Sequence, residues 1–297
     1  NKTIINRGVE AVVSETCFPI KVAHGHILEL LDKKPDFIFN PSIIDVPSEG
    51  VTRRDNSLYC CPYVQTLPYL AEAALNLKNG QTPVIAPALH MQAGSDNLMK
   101  ELLPFAATLK SSKSEISRAI DAAYQAQKIF TDALQARGAD ILENIPPEQK
   151  IIVIIGRPYN TCDPGANLDL PKKLLSMNVL PIPMDMLPLD SIPKDPAWGN
   201  MYWRYGLRIM QAARFVRKRP RIYALYVTNF GCGPDSFLLK FFARELGDKP
   251  FLQIEIDEHS ADAGVITRCE AYLDTIASFN GNTAKKTSHG PILALGQ

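Results

Sequence analysis

The apolar positions of the chain switch repeatedly between the 3.6-residue period of helices and the short continuous or alternating runs of strands. Thr3 to Gly8 reads as the end of a helix closing at a glycine, and Ala11-Val12-Val13 as a short buried strand. From Ile20 to Leu31 the positions Val22, Ala23, Ile27, Leu30 and Leu31 recur at helical spacing; Pro35 and a strand over 36–39 follow. A helix is predicted after Pro62, a strand over 83–86, and two helices between about 95 and 136, the second opening at Ser112 with Glu115 three residues on, as in a capping box. Residues 138–149, which contain Pro146 and Pro147, read as a linker. After it, Ile151-Ile152-Val153-Ile154-Ile155 is the continuous β-branched run of a strand covered on both faces.

Further strands are predicted over 179–183, 222–228 and 251–255, separated by helices over 171–177, 198–217, 236–246 and 262–278. Strands alternating with helices predict the α/β class, with mostly parallel sheets and each half a three-layer doubly wound domain. The expected division is 1–140, 150–280 and a loose tail over 281–297. A helix with no initiator Met ahead of the first strand leads us to expect an excised piece, with an upstream strand and further domains left out.

Composition narrows the class of function. The chain has 297 residues, enough for two independent cores, with 46% hydrophobic and 21% charged residues. Its 32 basic and 31 acidic side chains leave a net charge of +1 and no broad field for a nucleic-acid backbone or an anionic membrane. No stretch approaches the roughly 18 consecutive apolar residues of a membrane span, and Asn1-Lys2-Thr3 opens no secretory segment. A soluble, cytoplasmic protein without nucleic-acid or membrane partners is expected. In a reducing compartment its six cysteines are buried thiols, metal ligands or redox groups sooner than disulfides.

Ligands of open α/β sheets gather beyond the carboxyl ends of the strands, and the unusual residues fall on the loops expected there. They include Ser14 to Pro19, Asn40-Pro41-Ser42, Cys60-Cys61-Pro62, Gly156 to Cys162, Asn229 to Pro234 and Glu255 to Ser260. Each half contributes three cysteines: Cys17, Cys60 and Cys61, then Cys162, Cys232 and Cys269. Dispersed single thiolates on separate loops suit an iron-sulfur cluster better than a zinc ribbon, whose paired C-x-x-C knuckles do not occur. Cys232, between Gly231 and Gly233 and ahead of Pro234, is placed for stabilisation of its thiolate by helix amides. Plain packing stands beside this reading, since free cysteine is among the most buried residue types. Cys269, which fits one turn of a helix, is the first candidate for it, and Cys162 the next.

His24 and His26 flank Gly25 on a helix, where positions i and i+2 do not share a face, so a solvated or core role fits them better than a metal clamp. Neither G-x-G-x-x-G nor a P-loop occurs, and the chain is not read as a nucleotide hydrolase. The basic run Arg214, Arg217, Lys218, Arg219 and Arg221 could dock a phosphorylated ligand or an acidic partner; cations complementing a helix end explain it more simply.

Taken together, Glu15-Thr16-Cys17-Phe18-Pro19-Ile20-Lys21 with Gly25-His26, Cys61-Pro62-Tyr63-Val64-Gln65, Gly156-Arg157-Pro158-Tyr159-Asn160, Asn229 to Phe237, and Gln253 to Gly264 resemble the 2-hydroxyacyl-CoA dehydratase-like iron-sulfur family. The likeness is strongest to large proteins in which such a module is joined to an activator-type ATPase. It implies two flavodoxin-like, doubly wound α/β domains with mostly parallel sheets and a cluster in the cleft between them. It also implies a partner of the sugar kinase, actin and Hsp70 fold, fused upstream or separate, that couples ATP hydrolysis to one-electron reduction. Three cysteines hold a [4Fe-4S] cluster in the dehydratases, and three hold each half of an [8Fe-9S] double cubane in related proteins; the three-plus-three count here suits the second type. Cys17, Cys61 and Cys232 carry over onto family motifs and Cys269 follows one; Cys60 and Cys162 lie beside motifs.

The expected function is ATP-coupled, low-potential electron transfer and reduction of a small or acyl-CoA substrate, as a reductase or a dehydratase-type lyase. Glu15, Lys21 and His259 are candidates to supply protons or orient substrate. A noncatalytic electron carrier or ATPase-docking module is the alternative, a metal-free α/β scaffold a third. A homodimer is compatible with the family.

Overall fold

Residues 1–47 and 59–288 are described in the computed structural model, with side chains through residue 280. Helices α1 (Lys2–Ala11) and α2 (Phe18–Asp32) come first, then strands β1 (Ile38–Phe39) and β2 (Ser42–Asp45), helix α3 (Pro62–Leu75), strands β3 (Val84–Ile85) and β4 (Ala88–His90), and helices α4 (Ser95–Leu102) and α5 (Lys113–Asn144). These strands pair in parallel as β1 with β3 and β2 with β4, two short ribbons in place of one broad sheet. Their cores are small. Ile27, Ile38, Ala71 and Leu77 form one, and Leu89, Leu98, Ile116 and Ile120 the other.

The second half runs β5 (Ile151–Ile155), α6 (Pro158–Cys162), α7 (Leu170–Ser176), β6 (Leu180–Pro183), α8 (Arg204–Arg217), β7 (Ile222–Asn229), α9 (Gly233–Leu246), β8 (Phe251–Ile256) and α10 (Asp262–Ser288). Its four strands are all parallel in the order β6-β5-β7-β8. Counted within the half this is 2-1-3-4, the flavodoxin-like order, whose topological switch point lies between β5 and β7. Side chains alternate between the faces. Ile151, Val153, Ile155, Ala224 and Tyr226 join α8 and α9 in one core, while Ile152, Ile154, Tyr223, Leu225 and Val227 join α7 and α10 in the other. The doubly wound α/β architecture read from the sequence is therefore present, most fully in the second half.

Several boundaries differ from the sequence reading. Gly8 does not close a helix: α1 continues to Ala11, and the expected strand over 11–13 is absent, Val13 being 78% exposed. Gly8 instead serves a helix crossing. A Cβ on Gly8 would lie 1.9 Å from the Lys21 carbonyl oxygen, and one on Gly25 would lie 1.9 Å from that of Ile4, so both glycines let α1 and α2 touch backbone to backbone. Ser42, expected in a loop, begins β2, and β4 was not anticipated. The expected linker starts inside α5, because Gly138 packs against Met186. The expected helix over 198–217 starts only at Arg204. At the other end α10 extends through Ser288, into the segment read as a loose tail; residues 289–297 lie outside the described residues.

Two helices tie the halves together. Phe18 and Val22 of α2, with Ile5 of α1, pack into the core shared by α7 and α10, while Ile27 and Leu31 of α2 belong to a first-half core. The end of α5, with Ile141 and Leu142, packs on the α8 and α9 face.

Candidate functional site

Three cysteines start helices in the same way. Cys17 is the N-cap of α2 with Pro19 behind it, Cys61 that of α3 with Pro62, and Cys232 that of α9 with Pro234. Proline suits the first helical turn, where its missing N–H has no intrahelical role. An N-cap is usually Ser, Thr, Asp or Asn, whose oxygen accepts from a first-turn amide. None of these three sulfurs makes a capping hydrogen bond.

The loops that carry them meet. The Phe18 amide donates to the Phe230 carbonyl at 3.4 Å, and Gly231, at φ +75°, leaves only 3.4 Å between a notional Cβ and Cys17 Cα. Any side chain at 231 would be strained and would press on Cys17. Next to Cys61, the Cys60 amide donates to the Ile44 carbonyl at 2.9 Å and its carbonyl accepts from Gln65 Nε2 at 2.7 Å. Tyr59 bridges in parallel to Trp203 of the second half. Burial raises the pKa of Tyr159, on α6, against the pull of Arg157, and the charges of Cys61, Cys17 and Cys232 add to the rise.

Arg157, the N-cap of α6, lies at the end of β5 beside the switch point. It is 5% exposed, and its Nη1 donates to both Asp235 oxygens at 2.7 Å. Thr228 Oγ1 donates to the same carboxylate at 2.6 Å. Burial pushes the Cys17 thiol up, against the pull of the Ile20 amide and of Arg157. Cys232 is pushed up to about 12, chiefly by burial, although Arg157 and the Asp235 amide act the other way. The helix amides expected to favour a Cys232 thiolate are therefore present but outweighed. Cys60 is also pushed up to about 12, by burial and by Cys61 and Asp45. Two buried oxygens nearby, Thr16 Oγ1 and Asn160 Oδ1, have no hydrogen-bond partner.

Of the remaining cysteines, Cys162 is exposed at the end of α6, 3.3 Å from Thr161 Oγ1. Cys269 is 1% exposed within the core shared by α7 and α10, and its thiol is pushed up to about 11 by burial. The loops of Cys17 and Cys232 are thus in contact, the charge of Cys61 acts on the Cys17 thiol, and Cys269 lies apart in a core. Among the described residues no group of three or more His, Cys, Asp or Glu side chains is close enough to hold one metal ion. A cubane spreads its ligating sulfurs more widely than a single ion does. The soft donor set and the unpartnered Thr16 hydroxyl, which can donate to sulfur, fit such a group.

The proton-handling candidates partly converge. Lys21, 4% exposed, is 2.7 Å from Glu258 and 3.2 Å from Glu15. His259 is exposed next to Glu258, its amide donating to Asp257 at 3.0 Å. His24 is a core residue with Nδ1 2.8 Å from the Ile20 carbonyl oxygen, and His26 points outward beside Glu29. The basic run has structural partners: Arg214 binds Asp195 and Glu245 and stacks on Trp198, Arg219 stacks on Phe215, and Arg221 donates to the carbonyls of Pro146 and Pro147. Arg157, Tyr159, Asp235 and Glu258 had received no role from the sequence. The repeated signal was available, since Cys-Phe-Pro, Cys-Pro and Cys-Gly-Pro all spell the start of a helix.

Residues 1–187 match the family described as CoA enzyme activase uncharacterised domain (DUF2229), well over half of the chain. The chain belongs to this family. The activase-domain match includes Cys17, Cys60, Cys61, Arg157 and Cys162 and ends before Cys232 and Glu258. No curated protein matches the chain. Among the described residues no helix is long and apolar enough to cross a membrane.

Proposed function

We propose that this activase-family chain is an iron-sulfur module serving acyl-CoA enzyme activation, which receives electrons from an ATP-hydrolysing partner. The observation that carries the reading is that Cys17, Cys61 and Cys232 each cap a helix, with the Cys17 and Cys232 loops in contact beyond the end of β7, beside the switch point of a parallel sheet. Three thiolates there suit one [4Fe-4S] cluster with one iron free of protein ligands, and Cys60 is placed to shield it or to complete the set. A double cubane would draw on Cys162 and Cys269, and the core placement of Cys269 disfavours it. Bound in this cleft, the cluster would supply one-electron reduction at low potential. The protein's own part is to exclude water with Phe18 and Tyr159, to fix Arg157 against Asp235, and to hold Lys21 between Glu258 and Glu15, next to the His259 imidazole at the rim. Whether a substrate reacts here or electrons pass onward distinguishes a reductive enzyme from a carrier, and the exposed rim around His259 favours access.

The test is iron and acid-labile sulfide per chain, with an EPR spectrum, on protein purified and reconstituted without oxygen. About four irons are expected, lost in Cys17→Ala, Cys61→Ala and Cys232→Ala and kept in Cys269→Ala. About eight irons that depend on Cys162 and Cys269 would establish the double cubane instead. No iron or sulfide after reconstitution would refute the cluster reading.

A further inference from the structure

Helix α5 is apolar on the side where a surface helix is ordinarily polar. Its packed face is secured at both ends: Ile116 and Ile120 lie in the small core beside α4, Gly138 packs against Met186, and Ile141 and Leu142 pack on the larger core. Between these anchors the same face continues through Gln127 and Thr131, which hydrogen-bond each other at 3.2 Å. The opposite face carries Ala119, Ala122, Ala126, Ile129, Ala133 and Ala136, all exposed, at alternating spacings of three and four residues. With that spacing two helices interlock along a seam. Ile129 is 66% exposed and its neighbour Phe130 is 61% exposed, and neither joins the cores described above.

The order of sizes and charges along this face identifies what covers it. In a twofold contact, residue i meets j and j meets i, so the face must complement its own reversal. When a second copy is laid antiparallel with its Ala126 opposite Ile129, Ala122 falls opposite Ala133 and Ala119 opposite Ala136. Each Ile129 then enters a site lined by alanine, and Phe130 comes to the exposed Ala123 of the second copy. Charge agrees with size. Arg118, Gln125 and Asp132 follow one another at seven-residue intervals along one edge of the face, all exposed, and reversal turns Arg118 of each copy toward Asp132 of the other. Exposed charges contribute little affinity but select an orientation. A parallel copy instead sets Ile129 on Ile129 and Arg118 level with Arg118.

We propose that the outward face of α5 pairs with the same face of a second copy of this chain, in an antiparallel twofold contact centred between Ala126 and Ile129. The proposal is independent of the cluster reading above. One helix pair is a narrow contact among specific interfaces, so the dimer is expected to form reversibly, with a dissociation constant on the order of 100 µM.

Sedimentation equilibrium of the full chain across about 5–500 µM tests this, the weight-average mass being expected to rise from that of one chain toward that of two. Ile129→Glu changes a side chain that packs on nothing in the chain itself, and it is expected to weaken association at least about tenfold. Ala126→Ile alone crowds Ile129 of the second copy, and Ile129→Ala alone leaves its site unfilled; each is expected to weaken association about threefold to tenfold. The double variant, Ala126→Ile with Ile129→Ala, exchanges knob and socket and is expected to return to within about threefold of wild type. Phe237→Glu, on α9, alters a side chain more exposed still, 73%, and as the control should leave association unchanged. A wild type that stays monomeric throughout, as it would if this face served a different protein, overturns the proposal. So does a dimer that survives Ile129→Glu or is lost in Phe237→Glu. A double variant no better than the single ones overturns the antiparallel pairing and the proposal with it. Should either variant at Ala126 fail to fold by circular dichroism, Ile129→Glu decides alone.

Discussion

The two halves of this chain solve the same problem with different margins. The second half wraps one four-stranded sheet in helices on both faces and buries Ile151 to Ile155 completely or nearly so, whereas the first half spreads two parallel ribbons over two cores of four buried residues each. The difference bears on where the proposed site sits. The rigid half supplies the switch point with Arg157 and Cys232. The slighter half supplies Cys17 and Cys61 on helix starts that lean on the larger core, through Phe18 and through the pairing of Tyr59 with Trp203. A site at such a seam can open without unfolding the scaffold, since local stability follows local burial.

The largest effect should come from cutting the stronger core. Ile154→Ala removes a side chain with no exposed surface, and a loss of about 3–5 kcal/mol is expected from transfer and cavity terms together. Leu98→Ala, at 8% exposure in the smaller cluster beside α4, can relax more and is expected to cost nearer about 2 kcal/mol. Urea unfolding followed by circular dichroism measures both. Equal losses would mean that the two halves are one cooperative core and that the contrast between them is only apparent.

Next in size is the crossing of α1 and α2, which hangs Cys17 on the larger half. Gly25→Ala drives a methyl group to 1.9 Å from the Ile4 carbonyl oxygen, so α1 must move, and about 1–3 kcal/mol should be lost. Gly264→Ala is the control: it lies in the first turn of α10 with no heavy atom within 4 Å, and the gain in helix propensity should leave stability unchanged or raised by up to about 1 kcal/mol. If Gly25→Ala were as harmless as Gly264→Ala in thermal melts, the contact between these helices would not be what positions Cys17.

How much of this was legible in the sequence follows the same divide. Long periodic or continuous runs such as Ile151 to Ile155 and the Ser112 capping box declared their elements, because local pattern and tertiary burial agree there. Gly8 and Gly138 misled, since a glycine at a helix crossing and a glycine at a helix end look alike until the partner backbone is known. The short strands β1 and β3 fell inside the expected strands over 36–39 and 83–86, whereas β2 and β4, of four and three residues, carry too few side chains for a period to register. Cys17, Cys61 and Cys232 could be singled out as chemistry, but not the company they keep: Arg157 meets Asp235 across 78 positions of sequence and Lys21 meets Glu258 across 237. Cys269 illustrates the converse, a residue next to a suggestive motif that the fold buries in a core.

The smallest expected effect, and the one most specific to the seam, concerns that last pair. Burial works to raise the pKa of Glu258, but the hydrogen bond and charge of Lys21 outweigh it, and the carboxyl lies below its ordinary 4.5. Lys21 is held above its ordinary 10.5, by Glu258 first and with Glu15 adding to it against the cost of burial. A carboxylate depressed in the folded state binds fewer protons there than in the unfolded state. Its contribution is therefore complete above about pH 4.5 and fades as the pH falls through the lower, folded value. For the lysine the contribution is complete below pH 10.5 and fades as the pH rises through the raised value. Between those limits the bridge should be constant and worth about 1 kcal/mol, because the exposed Glu15 also pairs with Lys21 and keeps the buried ammonium partnered when Glu258 is replaced. Glu258→Gln should thus lower stability by that small amount at pH 7 and differ less and less from wild type as the pH is brought down through the acid limb, as read from urea midpoints across the range. A difference that persisted unchanged at low pH would show that Glu258 acts through packing, and that α2 is held to the larger half by Phe18 rather than by charge.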